Sequence, residues 1–197
     1  MTTVYFVRHA MPNFSNHNDA ARELSPQGLA DRKLVTEFLW DKNVDAVFSS
    51  PYKRAVDTIR EFADAKGLAV ALASDFRERK IGDTWIADFE GFCERQWADF
   101  DYKRPDGESL REVQRRNIHA LEQVLDAHDG QTAVIGGHGT AICTVLNYYD
   151  PSFGCDGFNR IRRLMPWIVQ FSFEGKICTA ISEYDLFSKK FSGRAPG

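Results

Sequence analysis

Several features that would place a chain in a membrane, outside the cell or on nucleic acid are missing from this sequence. No apolar run among its 197 residues is long enough to cross a bilayer. The N-terminal apolar run is also too short for a signal peptide, since Arg8 ends it. A net charge of −3 gives no overall basic field for nucleic acid. We therefore expect a cytoplasmic protein with no membrane or nucleic-acid partner.

Cysteine pairs and metal-binding motifs are missing as well. None of the 4 cysteines has the C-x-x-C spacing, so we interpret them as reduced thiols of a cytoplasmic protein. Three of the 5 histidines show no ligand spacing, so we expect them at the surface and expect no metal or other cofactor. The cysteines are Cys93, Cys143, Cys155 and Cys178, and the three histidines are His17, His119 and His128.

What the sequence does contain is a regular alternation of strand and helix candidates. A hydrophobic content of 43% over 197 residues, with no repeat or linker, suits one domain with a substantial core. We predict a single domain over residues 1–197, with an α/β fold built as a three-layer α/β/α sandwich around a mostly parallel central sheet. The predicted strands are residues 4–7, 44–48, 68–73, 132–135, 167–173 and 177–182.

One long segment interrupts this alternation. Between residues 75 and 106, aromatic and charged side chains mix without a clear period. We predict a short helix at 92–100 and a short cap insertion at 83–105. Its aromatic side chains either overhang a site or form a satellite core, and the pattern favours neither; they are Trp85, Phe89, Phe92, Trp97, Phe100 and Tyr102. Further on, residues 150–159 are predicted as a loop and the chain after Tyr184 as a frayed end.

Three predicted strands lead directly into unusual polar residues. The first ends on Arg8 and His9, although a strand with a continuous apolar run should be buried on both faces. The second leads to Arg54 in the first turn of a helix, and the fourth leads to His138 in a glycine-rich turn at another helix start. Because ligands of α/β sheets gather at the carboxyl ends of the strands, we expect these side chains to meet at one edge.

This set of residue types favours a phosphate ligand. Helix N-termini offer free N–H groups, and the planar fork of arginine binds phosphate oxygens in pairs. Taken singly, each feature is ordinary: a tight glycine turn, a solvated arginine, a surface histidine. The combination of two arginines, two histidines and two helix starts predicts a phosphate site.

Six motifs follow one another between Val4 and about Leu146. They are Val-Arg-His at the end of the first strand, Leu-Ser-Pro-Gln-Gly, Ser-Ser-Pro-Tyr-Lys-Arg-Ala-Val-Asp-Thr, Phe-Arg-Glu-Arg-Lys-Ile-Gly, Gly-Glu-Ser-Leu and Gly-Gly-His-Gly. In this order they resemble the histidine phosphatase superfamily, the group that contains cofactor-dependent phosphoglycerate mutases and their phosphatase relatives. We assign the resemblance to the phosphatase branch.

The resemblance implies a role for each site residue. His9 resembles the nucleophile that becomes phosphohistidine, and Glu78 matches the acid/base glutamate of the family. Arg8, Arg54 and His138 resemble the pocket that holds the phosphoryl oxygens, with His138 also counted as catalytic. The implied enzyme is a phosphoric monoester hydrolase of the histidine acid phosphatase type, with no metal and with a small-molecule phosphate ester as its partner.

Three functions stay open on the sequence. The leading hypothesis is a metal-independent phosphomonoesterase that hydrolyses a phosphorylated metabolite through phosphohistidine on His9. The acidic and aromatic cap disfavours the first alternative, a phosphoglycerate mutase-type phosphoryl transfer, although Arg77, Arg79 and Lys80 could bind a carboxylate. The second alternative is a non-catalytic phospho-ligand binding protein, which would be expected to lack one of the site residues. A homodimer is also left open.

Two departures concern the site surroundings. After Arg-His many relatives carry Gly-Glu/Gln-Thr/Ser, whereas this chain continues Ala-Met-Pro. Asn13 or Ser15 could donate to the phosphate instead. The late cluster of Arg160, Arg162 and Arg163 is either a solvated group at the start of a strand or a contact for a charged substrate, and we favour the former.

Overall fold

The computed structural model describes residues 1–84 and 86–197. Within them, seven strands form one sheet in the order β3-β2-β4-β1-β5-β6-β7. The strands are β1 Thr2–Arg8, β2 Ala46–Ser49, β3 Val70–Leu72, β4 Thr132–Gly137, β5 Trp167–Glu174, β6 Ile177–Asp185 and β7 Lys190–Arg194. The helices are α1 Pro26–Leu39, α2 Lys53–Lys66, α3 Phe89–Ala98, α4 Leu110–Ala127, α5 Gly139–Tyr149 and α6 Cys155–Ile161, with a short 3₁₀ turn at Ser74–Phe76.

The core of the sheet is parallel, as predicted. β3, β2, β4 and β1 run in one direction, and β5, β6 and β7 continue the sheet in antiparallel fashion. Arg8 of β1 pairs with Gly137 of β4, and Ser49 of β2 pairs with Gly136. The carboxyl ends of these three strands therefore reach the same edge of the sheet.

Helices cover both faces of this sheet, which confirms the three-layer α/β/α fold. Alternate residues of β1 enter different cores: Phe6 packs with residues of α4 and α5, and Val7 packs with residues of α1 and α2. Helix starts agree with the sequence signals. Ser25 caps α1 through the N–H of Gly28, and Ser109 begins α4 with the predicted capping box.

Two sequence predictions outside the parallel core are wrong. The predicted loop at 150–159 contains the start of α6, a helix of 7 residues that buries Phe158 and Ile161. The predicted frayed tail contains β7, which pairs with β6. Both elements are short and depend on contacts distant in sequence; Arg194 of β7, for example, forms an ion pair with Asp150 at 2.6 Å.

The predicted cap, residues 83–105, carries α3, which packs against α6. Trp97 lies with its ring centroid 6.2 Å from that of Phe153 and 6.0 Å from that of Phe158, so this side chain packs against the same core as Phe6 and forms no separate satellite core with them. Trp85 lies outside the described residues. None of the helices within 1–84 and 86–197 is both long and apolar enough to cross a membrane.

Candidate active site

His9 stands directly after β1 and is almost completely buried, with 6% of its surface exposed. Its backbone N–H donates to the carbonyl of Gly137 at 3.1 Å, which fixes the residue beside β4. Its ring nitrogen Nδ1 lies 2.7 Å from the carbonyl oxygen of Ala10. A carbonyl only accepts, so Nδ1 carries the proton of the neutral ring and Nε2 keeps a free lone pair.

The surroundings of His9 keep its ring neutral. Burial lowers the pKa of His9 well below the usual 6.5, and the positive charges of Arg54 and Arg8 lower it further. A neutral imidazole is the form that can attack an electrophile. The same three factors that suppress protonation therefore preserve a nucleophile.

His138 follows β4 and begins α5, with its ring centroid 5.3 Å from that of His9. It is fully buried, and its Nε2 lies 2.8 Å from the hydroxyl oxygen of Ser50. The ring of Tyr52 contacts it edge-on at 5.2 Å between centroids. Burial, followed by the charge of Arg54, lowers the pKa of His138 well below its usual value, so this ring is neutral as well.

Arg8 is held by backbone carbonyls beside the start of α5. Its Nη1 donates to the carbonyl of Ile161 at 2.8 Å and to that of Leu164 at 3.2 Å. A Cβ at Gly139 would approach the guanidinium carbon of Arg8 to 3.0 Å, so glycine leaves the space this side chain occupies. In the described part of the chain no carboxylate forms an ion pair with this buried cation, so its charge is available to an anionic ligand.

Arg54 enters the same space from the first turn of α2, with only 3% of its surface exposed. Its guanidinium binds the backbone carbonyl of Asp19, and its Nη2 lies 3.1 Å from the carboxylate of Asp19. Thr58 links this helix to the residue after His9, because its hydroxyl accepts from the N–H of Ala10 at 2.9 Å and donates to the carbonyl of Arg54 at 2.7 Å. The arginine is thus fixed relative to His9.

Glu78 reaches the site from the loop after the 3₁₀ turn. Its carboxylate accepts from the backbone N–H groups of Thr140 and Ala141, each at 3.1 Å, and from that of Arg79 at 2.8 Å. The carboxylate therefore caps the free N–H groups at the start of α5, close to His138 in the chain. The structure brings all five predicted site residues to the sheet edge where β1, β2 and β4 end.

A salt-bridged pair supports the Glu78 loop from behind. Arg116 of α4 donates to the backbone carbonyls of Asp75, Arg77 and Glu78 at 2.7, 2.8 and 3.1 Å. Two of its N–H groups also bind the carboxylate of Glu108, at 2.9 and 3.0 Å. This bidentate pair sets the position of the loop that carries Glu78.

Sequence reasoning missed three kinds of supporting residue: Ser50 beside His138, Asp19 on Arg54, and the Glu108–Arg116 pair. Ser50 and Glu108 had a local signal, since they stand in the Ser-Ser-Pro and Gly-Glu-Ser-Leu motifs. Asp19 lies in a polar loop with no pattern of its own, and the pair joins residues whose contacts with the loop are long-range.

The other predicted candidates either bind partners outside the five site residues or are exposed to solvent. The Asn13 amide donates to Glu23 at 2.6 Å, and Ser15 is exposed. The arginine cluster lies at and just after the end of α6 and not at the start of a strand: Arg160 pairs with Glu183 at 2.9 Å and Arg162 with Glu90 at 3.1 Å.

His17 and His119 are exposed, whereas His128 is half-buried against Phe48. No metal-binding group of three His, Cys, Asp or Glu side chains occurs in the described part of the chain.

Comparison with known proteins agrees with the geometry of this candidate site. The model of the histidine phosphatase superfamily (branch 1) matches residues 4–170. This chain belongs to the histidine phosphatase superfamily, as its motifs predicted.

Individual relatives include phosphatases and mutases. Phosphoserine phosphatase 1 of Hydrogenobacter thermophilus is 30% identical over 183 residues, which cover 79% of this chain and 83% of the relative. Probable phosphoglycerate mutase GpmB of Yersinia pestis is 26% identical over 163 residues, covering 75% of this chain and 74% of the relative.

Solved structures share the fold. Bacillus stearothermophilus YhfR aligns with a TM-score of 0.74 at 20% identity, covering 90% of this chain and 94% of that structure. The mycobacterial glucosyl-3-phosphoglycerate phosphatase Rv2419c aligns with a TM-score of 0.71 at 19% identity, covering 98% and 97%.

Proposed function

We propose that this chain hydrolyses phosphate monoesters of small metabolites through a phosphohistidine on His9. The observation that carries the proposal is the state of the His9 ring. It is buried, and its Nδ1 proton is held by the carbonyl of Ala10 at 2.7 Å, so Nε2 carries the lone pair; the charges of Arg54 and Arg8 act on this ring and lower its pKa. A phosphate monoester hydrolyses very slowly in water, and covalent catalysis splits the reaction into two easier steps.

In the first step, Nε2 of His9 forms a bond to phosphorus while the ester P–O bond breaks. The leaving oxygen takes a proton from Glu78 in its acid form. In the second step, water attacks phosphorus, the P–N bond breaks, and Glu78 as carboxylate takes a proton from the water. Arg8, Arg54 and His138 bind the phosphoryl oxygens during both transfers and stabilise the charge spread over them.

We further propose that the enzyme is a phosphatase of the histidine acid phosphatase type. Protonation of Nε2 would remove the nucleophile, but burial and two arginines hold the pKa of His9 well below its usual value. The attacking form therefore persists into mildly acidic solution. A cytoplasmic location completes the proposal, because all four cysteines are free thiols and three of them are buried.

Hydrolysis is favoured over a mutase reaction by the state of the cations beside Glu78. A mutase needs cations that are available for the carboxylate of a phosphoglycerate. Arg77 is paired with Glu108 at 2.9 Å, and Lys80 with Asp83 at 2.6 Å. Arg79 is buried, with hydrogen bonds to Gln96 and Cys93. The complete set of His9, Arg54, Glu78 and His138 likewise disfavours a binding protein without catalysis.

The test is release of inorganic phosphate from a panel of phosphorylated metabolites, with phosphoserine and phosphoglycerate derivatives included because relatives bear those names. We expect release from at least one ester, and the same rate in excess EDTA because protein side chains supply every role. The same preparation is assayed for interconversion of 2- and 3-phosphoglycerate. Fast interconversion with slow phosphate release would contradict hydrolysis, and a requirement for an added divalent metal would contradict the mechanism.

A further inference from the structure

The two ring nitrogens of His138 have different surroundings. Nε2 lies 2.8 Å from the hydroxyl oxygen of Ser50, and both residues are fully buried. Nδ1 is also buried, and residues 1–84 and 86–197 provide no hydrogen-bond partner for it. Buried polar groups are rarely left unpaired, so Nδ1 is the nitrogen available to a ligand.

The contacts of Ser50 indicate which nitrogen carries the proton. Its hydroxyl oxygen already accepts from the backbone N–H of Tyr52 at 3.2 Å. If Nε2 of His138 also donated, the hydroxyl hydrogen would have no acceptor within the described residues, and Nδ1 would be a bare, unpaired nitrogen. If the hydroxyl donates to Nε2, every hydrogen around Ser50 is satisfied and Nδ1 carries the remaining proton of the neutral ring.

We propose that Ser50 is a positioning residue that fixes the neutral tautomer of His138 with the proton on Nδ1, so that this N–H donates to a phosphoryl oxygen. The inference rests on the proposed function, because it assigns His138 a donor role in the same phosphate site. Ser50 itself touches no reacting atom and acts only through His138.

The tautomer matters because His138 has no second proton to offer. Burial lowers the pKa of His138 well below its usual value, and the charged or titratable neighbours Arg54, His9, Arg116 and Arg8 lower it further. A neutral ring donates from one nitrogen only. With the proton on Nε2, a bare lone pair would face the phosphoryl oxygens and repel them; with the proton on Nδ1, the ring contributes a hydrogen bond.

The neighbouring serine provides a matched control. Ser49 is equally buried, but its hydroxyl has no hydrogen-bond partner in the described part of the chain. A Cβ at Gly136 would meet that hydroxyl at 2.9 Å, so Ser49 lies against β4. Ser49→Ala and Ser50→Ala each remove one buried oxygen, one residue apart, yet only Ser50→Ala removes the partner of His138.

The experiment combines nitrogen NMR of the histidine rings with phosphate binding on the full chain. A His138→Asn variant assigns the signals. We expect a protonated Nδ1 and a bare Nε2 in the native protein and in Ser49→Ala, and a changed tautomer distribution in Ser50→Ala. Loss of a hydrogen bond that orients a metal-binding histidine typically costs about 10- to 100-fold, and we expect the lower end of that range for a phosphate-binding histidine. Inorganic phosphate should therefore bind about tenfold more weakly to Ser50→Ala, and within about twofold of the native affinity to Ser49→Ala.

Either of two results would overturn this role for Ser50: a proton on Nε2 in the native protein, or equal phosphate affinity in the two alanine variants. The native measurement requires no mutant to fold. Failure of the proposed function is a separate outcome, because a native protein that binds phosphate through Nδ1–H but releases phosphate from no ester would contradict hydrolysis and leave the tautomer assignment standing.

Discussion

Two regions of the molecule are built differently. The phosphate floor, formed by Arg8, His9, Arg54 and His138, is buried at the ends of strands and at helix starts. The predicted cap at residues 83–105, whose described part is called the wall below, carries exposed charges; Asp88 and Arg95, at 3.6 Å, are 67% and 61% exposed. Charges act strongly where water is excluded and weakly where it is not. The chemistry should therefore depend on the floor, and the wall should tolerate change.

The largest effect should come from the floor nucleophile. His9→Ala should lower kcat by about 10⁴-fold or more, as removal of a covalent nucleophile does. Rapid quench of the native enzyme with labelled ester should trap an acid-labile phosphoenzyme that the variant lacks. His119→Ala, which removes an exposed histidine of α4, is the control and should keep full activity. A phosphoenzyme that persists in His9→Ala would place the nucleophile elsewhere.

Glu78 lies on the loop after the 3₁₀ turn, next to the floor. The loss of activity in a Glu78 variant should depend on the substrate. General acid–base catalysis contributes about 10²- to 10⁴-fold, and an alkoxide needs a proton more than an acidic phenolate does. Glu78→Gln should therefore reduce hydrolysis of an alkyl phosphate far more than that of an aryl phosphate with an acidic phenol. The measurement is kcat/KM for both esters, in Glu78→Gln and in the native enzyme. Equal losses for both esters would remove Glu78 from the acid role.

The sequence alone predicts the residues of the floor, but it does not predict the position of Glu78. Arg8, His9, Arg54 and His138 stand at strand ends or helix starts, and parallel topology brings such positions to one edge whatever the details of packing. Glu78 was assigned only by resemblance, because its position depends on a loop held by Arg116 and Glu108.

The contacts that support the floor cannot be predicted from the sequence, for a physical reason. Asp19 reaches Arg54 across 35 positions, and Ser50 reaches His138 across 88. Neither contact leaves a local period or cap signal. The same holds for α6 and β7, which are short and stabilised by partners far away in the chain, such as the pairing of Arg194 with Asp150.

The pH dependence should also reflect the buried floor. Protonation of Nε2 of His9 abolishes attack, so activity is lost as pH falls through the pKa of His9. That pKa is lowered well below 6.5 by burial, Arg54 and Arg8. After correction for the substrate phosphate, whose second pKa is about 6, the acid limb of kcat/KM should lie clearly below pH 6.5. Arg54→Gln should move the limb upwards, since it removes one of the charges. An acid limb near 6.5 in the native enzyme would show that His9 is not desolvated as described.

The smallest effect should come from the wall. Arg95 forms an exposed pair with Asp88, and exposed pairs contribute about 0–1 kcal/mol because water and salt screen them. Arg95→Gln keeps a polar side chain on α3, so the free energy of unfolding should fall by about 0.5 kcal/mol or less, and kcat/KM should stay within about twofold. The small difference in stability should vanish at about 1 M salt, where screening acts within about 3 Å. The acid limb of the pH profile should not move, in contrast to Arg54→Gln. A tenfold loss of kcat/KM for one ester but not another would instead assign Arg95 to substrate recognition and make the wall part of the site.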